Sequence, residues 1–333
     1  MMRIAAYHRY GAPEVVGVEE CERPEPGPGE VRVRVHAASV GAADAAGRSG
    51  SPWFARLAFG LRRPRNAVLG SDFAGVVDAV GAGVTRFAVG DRVFGATGAD
   101  GGAHAEAVVV REDGAVVPLP DGVSVEAAVA ICDGAMTALP FLRDGGRVGA
   151  GSRVLVNGAS GAVGAAAVQL AVRLGAEVTA VCGPAHVELV AGLGATRVID
   201  YTHEDPIRHG APGAPFDVVF DAVGKSTFRR ARAVLAPGGR YLTTVPSWAI
   251  MAQQLTSRIG RRRAVIMFTG LRSVEAKRPD LEELAALAAS GAFAPVIERV
   301  VPLDAIAEAH RLVDTGHKAG TVVVTPVPEY QEA

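Results

Sequence analysis

The chain has 333 residues, 49% of them apolar and 21% charged, with a formal net charge of −1. That length exceeds one ordinary core, so two domains are expected, and the near-neutral charge argues against sequence-independent binding to nucleic acid. Cys21, Cys132 and Cys182 lie far apart with no C-x-x-C pair, so no disulfide framework is expected and a cytoplasmic location fits. Residues 1–18 carry no apolar signal core; with no run approaching about 18 apolar residues, neither secretion nor a membrane partner is expected.

In chain order, residues 24–29 (Pro-Glu-Pro-Gly-Pro-Gly) form a turn cluster. Strict alternation over 31–36 then predicts a half-buried strand. Apolar runs at 73–77, 92–94 and 105–110 predict further short strands, and this spacing suggests a compact β-barrel over residues 1–120. After Pro118-Leu119-Pro120-Asp121 the pattern changes to helices alternating with buried strands, beginning with a helix at Val125 capped by Ser124.

An apolar run at 153–157 then breaks into Gly158, Gly161 and Gly164, becomes a helix over 165–174 and returns to an apolar run at 177–181. That is a βαβ unit with glycines at its first turn, the arrangement that cradles a dinucleotide pyrophosphate. Gly158 would permit the turn, Gly161 the approach of backbone to phosphate, and Gly164 close packing of helix on strand. Ser160, Ala162 and Val163 complete the turn and the helix start, whose free N–H groups and dipole favour an anion. Strands at 197–200, 216–221 and 240–244 extend the pattern to a doubly wound parallel sheet over residues 121–265. Residues 266–333 are mixed, with helices at 281–290 and 304–314 and a strand at 321–325. The basic cluster Arg258 and Arg261-Arg262-Arg263 lacks aromatic interleaving and reads as a solvated helix end or loop.

Several motifs together carry a family resemblance: Gly70-Ser71-Asp72-Phe73-Ala74-Gly75-Val76-Val77, Gly90-Asp91-Arg92-Val93-Phe94, Thr137-Ala138, the 157–164 turn and Val198-Ile199-Asp200-Tyr201. Asp221-Ala222-Val223-Gly224, Pro237-Gly238-Gly239-Arg240 and Gly316-His317-Lys318-Ala319-Gly320 continue it. In this order they resemble the medium-chain dehydrogenase/reductase superfamily, in its zinc-independent quinone oxidoreductase-like branch. The resemblance implies a Rossmann domain (121–265) inserted into a GroES-like β-barrel domain built from 1–120 and completed by 266–333. It also implies an NAD(P)H-dependent oxidoreductase acting on a small molecule, and a homodimer paired through edge strands at 240–244 or near 264–268. Thr137 resembles the threonine beside the nicotinamide, though an ordinary helix threonine explains it too. Ala222, Val223 and Gly224 resemble the strand end that passes the nicotinamide ribose, and a plain strand-to-helix turn is the competing reading.

Zinc-dependent relatives place a cysteine, a Gly-His-Glu motif and a second cysteine around the metal. The corresponding places here resemble Gly41, Ser71-Asp72 and the stretch around Cys132, so no metal is expected on ligand count. At the end of the second cofactor-domain strand, Cys182-Gly183-Pro184-Ala185-His186 offers no acid for a ribose 2′-hydroxyl. Gly183 and Ala185 stand where relatives often carry Ser and Lys or Arg, leaving His186 and Tyr201 as candidate donors. NADPH is the expected cofactor, with NADH open.

Without a Lewis acid, substrates that already accept hydride are favoured, namely quinones and α,β-unsaturated carbonyls. Ser71 and Asp44 are the candidate catalytic residues, Ser71 as a donor to a developing oxyanion and Asp44 as part of a proton relay. Anchoring of backbone or pairing with Arg48 is the alternative for Asp44. Trp53, His104, Asp133, Met267 and Phe268 are the candidate substrate-pocket residues, with a core or surface histidine the competing reading of His104 and a lid contact that of Trp53. Two other functions stay open: a pathway-specific enoyl or keto reductase or alcohol dehydrogenase of specialised metabolism, and a nicotinamide-binding sensor with little turnover.

Overall fold

The computed structural model describes residues 1–53, 55–209 and 214–327. They form two compact units, 1–133 with 270–333, and 134–269.

The first unit opens with an antiparallel hairpin of β1 (Met2–Ala6) and β2 (Gly17–Cys21). Its main sheet begins with β3 (Glu30–Val40), β4 (Asp72–Val80), β5 (Arg92–Ala96), β6 (Ala107–Arg111) and β7 (Ala115–Pro118). β3 is longer than its alternating sequence suggested because it is central, pairing with β4 and β6. Val31, Val33 and Val35 are fully buried, and even Arg32 is covered, its guanidinium bridging Asp78 at 2.7 Å and Glu25 at 2.8 Å. Between β3 and β4 a helix, Ala42–Ser49, and a short one, Ala55–Phe59, carry the chain across the surface.

Ser124 caps the next helix as its sequence predicts, its Oγ accepting the Ala127 N–H at 3.1 Å. The helix is continuous over Val125–Gly146, with mean hydropathy 1.5 and 72% of its apolar window buried. Asp133, Arg143 and Asp144 interrupt its apolar run in sequence. Among the described residues it alone is long and apolar enough to cross a membrane, and its burial is that of a core helix. Its start, Val125–Ala130, packs on β3 and β4, so the first unit extends to Asp133 rather than ending at residue 120.

The second unit is a six-stranded sheet of β8 (Arg153–Asn157), β9 (Glu177–Cys182), β10 (Arg197–Asp200), β11 (Phe216–Asp221), β12 (Leu235–Thr243) and β13 (Arg263–Ile266). All neighbours are parallel in the order β10-β9-β8-β11-β12-β13. This is the doubly wound Rossmann order, with its switch point between β8 and β11. β12 lies inside the sheet, which corrects 240–244 as a candidate edge; β13 is the edge on that side. The chain then returns to the first unit, where β14 (Ile297–Pro302) and β15 (Thr321–Thr325) add to the main sheet as β15 pairs with β3.

Candidate active site

In the second unit the three glycines do different work. Gly158 has φ 80, in the left-handed region where glycine carries no Cβ penalty. Its N–H and that of Ala159 both reach the Val181 carbonyl, at 3.1 and 2.9 Å, which folds the turn back over β9. A Cβ at Gly164 would meet the Gly158 carbonyl carbon at 2.7 Å and Ala159 Cα at 2.9 Å, so helix Ala162–Arg173 lies directly against the turn. A Cβ at Gly161 would meet only the Gly158 oxygen, at 3.7 Å, leaving open space before the helix N-terminus. Ser160, Ala162 and Val163 border that space, and the first-turn N–H groups have no acceptor within the helix. The space fits a pyrophosphate.

The structure brings the Gly158 turn and the 222–224 segment together across the switch point. Val223 Cγ2 would lie 3.1 Å from a Cβ on Gly158, and the Ala222 N–H donates to Asn157 O at 3.1 Å. Sequence reading missed what organises this meeting, which is Asp221. It is fully buried and accepts from Asn157 Nδ2 (3.0 Å), the N–H groups of Val223 (3.3 Å), Gly224 (2.9 Å) and Ser226 (2.7 Å), and Tyr241 OH (2.9 Å). Its signal was a carboxylate closing an apolar strand directly before Ala-Val-Gly.

On the other flank, Tyr201 stands over Gly183, its OH 3.3 Å from where a Cβ would be, and the Tyr201 N–H donates to Cys182 O at 3.2 Å. Cys182 is buried, and burial pushes its thiol up to about 11. His186 closes the short helical turn Pro184–His186. Asp200, paired in register with Cys182, already accepts from the Thr202 N–H and hydroxyl. Thr137 Oγ1 lies 3.4 Å from Thr269 Oγ1, so its hydroxyl faces another side chain. Met267 is half-buried and Phe268 half-exposed, both following edge strand β13.

In the first unit Asp44 has both oxygens engaged by backbone, Gly41 N–H and Gly70 N–H each at 2.9 Å. It fastens two turns; Arg48 pairs instead with Asp314 at 2.7 Å. His104 is fully buried with Nε2 2.8 Å from Ser39 O, and its ring meets His310 edge-on at 6.1 Å. It is a core histidine, the competing reading to a pocket wall. Trp53 is 65% exposed on the surface segment after the first helix.

Ser71 donates to Asp72 Oδ1 at 3.1 Å, and Ser39 donates to Asp72 Oδ2 at 2.6 Å. Burial first, then the charge of Asp133, pushes the Asp72 carboxyl up to about 7, against the Ser39 hydrogen bond. Asp133 sits in a widened helical turn, Ile131–Ala135, and accepts from Thr321 Oγ1 at 3.0 Å. Burial raises its carboxyl too, opposed by Lys318. A Cβ at Gly41 would come within 2.9 Å of Asp133 Oδ1. Cys132 is buried with Sγ 3.6 Å from Gly95 O, and burial holds its thiol well above the ordinary range. Gly41 and Ser71 offer neither thiolate nor imidazole, and Cys132 alone falls short of the three or four ligands a zinc ion takes. Among the described residues no group of three or more His, Cys, Asp or Glu is placed to hold a metal.

Two buried groups act on stability in opposite senses over overlapping pH ranges. Asp72, raised from 3.8 to about 7, contributes stability that is present below pH 3.8 and lost as pH rises through about 7. His310, lowered from 6.5 to about 3 by burial and then by His104 and Arg48, contributes stability that is present above pH 6.5 and lost as pH falls towards 3. Thermal melts across this range are expected to show Asp72→Asn gaining stability over wild type as pH rises from about 4 to 7, and His310→Phe losing less than wild type as pH falls from about 6.5 to 3, each by up to about 4 kcal/mol. Unchanged slopes in both variants would show that other groups set the profile.

An inserted parallel sheet with a glycine cradle, carried by a GroES-like unit, defines a nicotinamide-dependent oxidoreductase. Residues 27–121 match the alcohol dehydrogenase GroES-like domain and residues 193–324 the zinc-binding dehydrogenase domain. The chain belongs to the medium-chain dehydrogenase/reductase superfamily, in its quinone oxidoreductase-like branch. It is 38% identical over 243 residues to a quinone oxidoreductase of Pseudomonas aeruginosa, covering 72% of each chain. It is 33% identical over 331 residues to the mitochondrial NAD(P)H oxidoreductase RTN4IP1 of Mus musculus, covering 90% of this chain and 82% of that one. The solved quinone oxidoreductase from Coxiella burnetii superposes with a TM-score of 0.86 at 27% identity, over 97% of this chain and 99% of that one.

Proposed function

We propose that the chain uses NADPH, without zinc, to reduce a quinone or the activated C=C bond of an α,β-unsaturated carbonyl. The observation that carries this reading is the donor-poor set in the first unit. Gly41 has no side chain, Ser71 is engaged by Asp72, and Cys132 is a single buried thiol turned to Gly95 O. Such a set supports substrates that accept hydride without a Lewis acid.

When bound, the nicotinamide supplies the hydride. The Gly161 space and the helix start at Ala162 and Val163 would hold the pyrophosphate, and the loop fastened by Asp221 would position the ribose. The preference for NADPH is supported by the absence of an acid from Cys182 to His186 and by the engagement of Asp200 with Thr202. Ser71 would donate its hydroxyl proton to the developing oxyanion and recover one from Asp72, whose carboxyl keeps a proton near neutral pH. A homodimer through the exposed edge of β13 completes this reading.

The test follows absorbance of the reduced nicotinamide with NADPH and NADH against panels of quinones and enones, with and without a chelator. Faster loss with NADPH, insensitive to chelator, is the expected result. Equal or faster loss with NADH would remove the cofactor preference. Chelator sensitivity would remove the zinc-free mechanism, and tight NADPH binding with no turnover would favour the sensor reading.

A further inference from the structure

Between Asp44 and Asp72 the sequence has five arginines and no Asp or Glu, in a chain whose formal net charge is −1. Three large apolar side chains recur there at four-residue spacing and face outward: Trp53 is 65% exposed, Leu57 60% and Leu61 67%. Arg62, Arg63 and Arg65 are exposed beside them.

The segment is held in this presentation by its inner side. Phe59 packs against the core of the first unit, its ring filling the space beside Gly47 with Leu69. The Arg56 guanidinium lies 4.7 Å over the Tyr10 ring and its Nε donates to Gly50 O at 3.2 Å. The Tyr10 hydroxyl donates to Gly60 O, and the Arg65 N–H to Phe59 O at 2.7 Å. Gly60 has φ 125 and no room for a Cβ, which would lie 3.0 Å from Arg65 N. Past this turn Leu61, Arg62 and Arg63 are exposed.

We propose that this segment docks the protein on an anionic lipid surface, with Trp53, Leu57 and Leu61 entering the headgroup boundary and Arg62, Arg63 and Arg65 meeting lipid phosphates. Trp and Leu with flanking arginines form the mixture that binds a membrane interface, where a few apolar side chains and several cations act together. A stable protein partner would need a far larger contact, about 1,200–2,000 Å² in total. The expectation of no membrane partner was drawn from the lack of an apolar spanning run, and surface docking requires none. The inference is independent of which acceptor the enzyme reduces.

The test sediments the purified full chain with vesicles of phosphatidylcholine alone, or with about one third phosphatidylglycerol, at low and high salt. Binding to the anionic vesicles only, weakened by salt, is expected. Arg62→Gln with Arg63→Gln should weaken it at least about tenfold. Leu57→Ser with Leu61→Ser should weaken it comparably while the remaining binding stays salt-sensitive. Both double variants should keep the wild-type melting temperature and the rate of NADPH oxidation with a water-soluble acceptor, which separates docking from folding and catalysis. Absence of binding to the anionic vesicles, or equal binding by both variants, would overturn the proposal. So would loss of self-association in the variants without any vesicle binding, which would assign the patch to a contact between copies of this chain.

Discussion

Replacing Gly164 by alanine should lower stability by about 3 kcal/mol and weaken dinucleotide binding by about two orders of magnitude. The added Cβ would press on the Gly158 carbonyl carbon at 2.7 Å and on Ala159 Cα at 2.9 Å. Both are backbone atoms, and neither can rotate away. The Gly158 turn is itself tied to Val181 O by two N–H groups, so the strain must move helix Ala162–Arg173 instead. Moving the helix displaces the N–H groups that would face the pyrophosphate, which couples the loss of stability to the loss of affinity. Gly161→Ala is the control. Its Cβ would enter the open space, near only the Gly158 oxygen at 3.7 Å, so stability should change by less than about 1 kcal/mol. Affinity should still fall about tenfold, because a methyl group would stand where phosphate approaches backbone. Thermal melts and fluorescence titration with NADPH on both variants decide the matter. Equal destabilisation by the two alanines would show that the glycines do not divide their work in this way.

The second large effect is expected at Asp221. Asp221→Ala removes both acceptor oxygens and leaves five donors, from Asn157, Val223, Gly224, Ser226 and Tyr241, without their partner. Unsatisfied buried donors each cost about 1–3 kcal/mol, but relaxation and entering water recover part of this, so the net loss should be about 4 kcal/mol. Asp221→Asn keeps one acceptor oxygen and should cost about half as much. The 222–226 segment should exchange its amide hydrogens faster in both variants, and NADPH affinity should fall with it. Destabilisation by Asp221→Ala without faster exchange at 222–226 would leave Asp221 as a core residue with no part in shaping the cradle.

The same two positions show how far local reading reaches. Gly164 was legible because a strand, glycines at that spacing and a helix leave few alternatives for the backbone. Asp221 was visible only as the first letter of a family motif. Its five donors come from two other strands, β8 and β12, and a loop, up to 64 residues from it in sequence, and no local pattern records that convergence. His104 stays open between core and pocket in the sequence for a related reason. A lone histidine carries no periodic signal, and its burial follows from the meeting of β3, the 70 turn and His310, which are distant in sequence.

By itself the sequence determined the βαβ cradle, the parallel alternation, the Ser124 cap and strand Thr321–Thr325, because each depends on hydrophobic period, glycine freedom or capping chemistry within a few residues. Tertiary structure decided which strand is an edge, since β12 became interior only when β13 paired beside it. It decided that the start of the helix at Val125, as far as Asp133, belongs with the first unit, since packing against β3 and β4 rather than composition sets that boundary. It also decided the upward shift of the Asp72 carboxyl, where burial and a second carboxyl distant in sequence at Asp133 outweigh two hydroxyl donors. Desolvation and charge coupling depend on what surrounds a group in space, and that is settled only when distant segments of the chain meet.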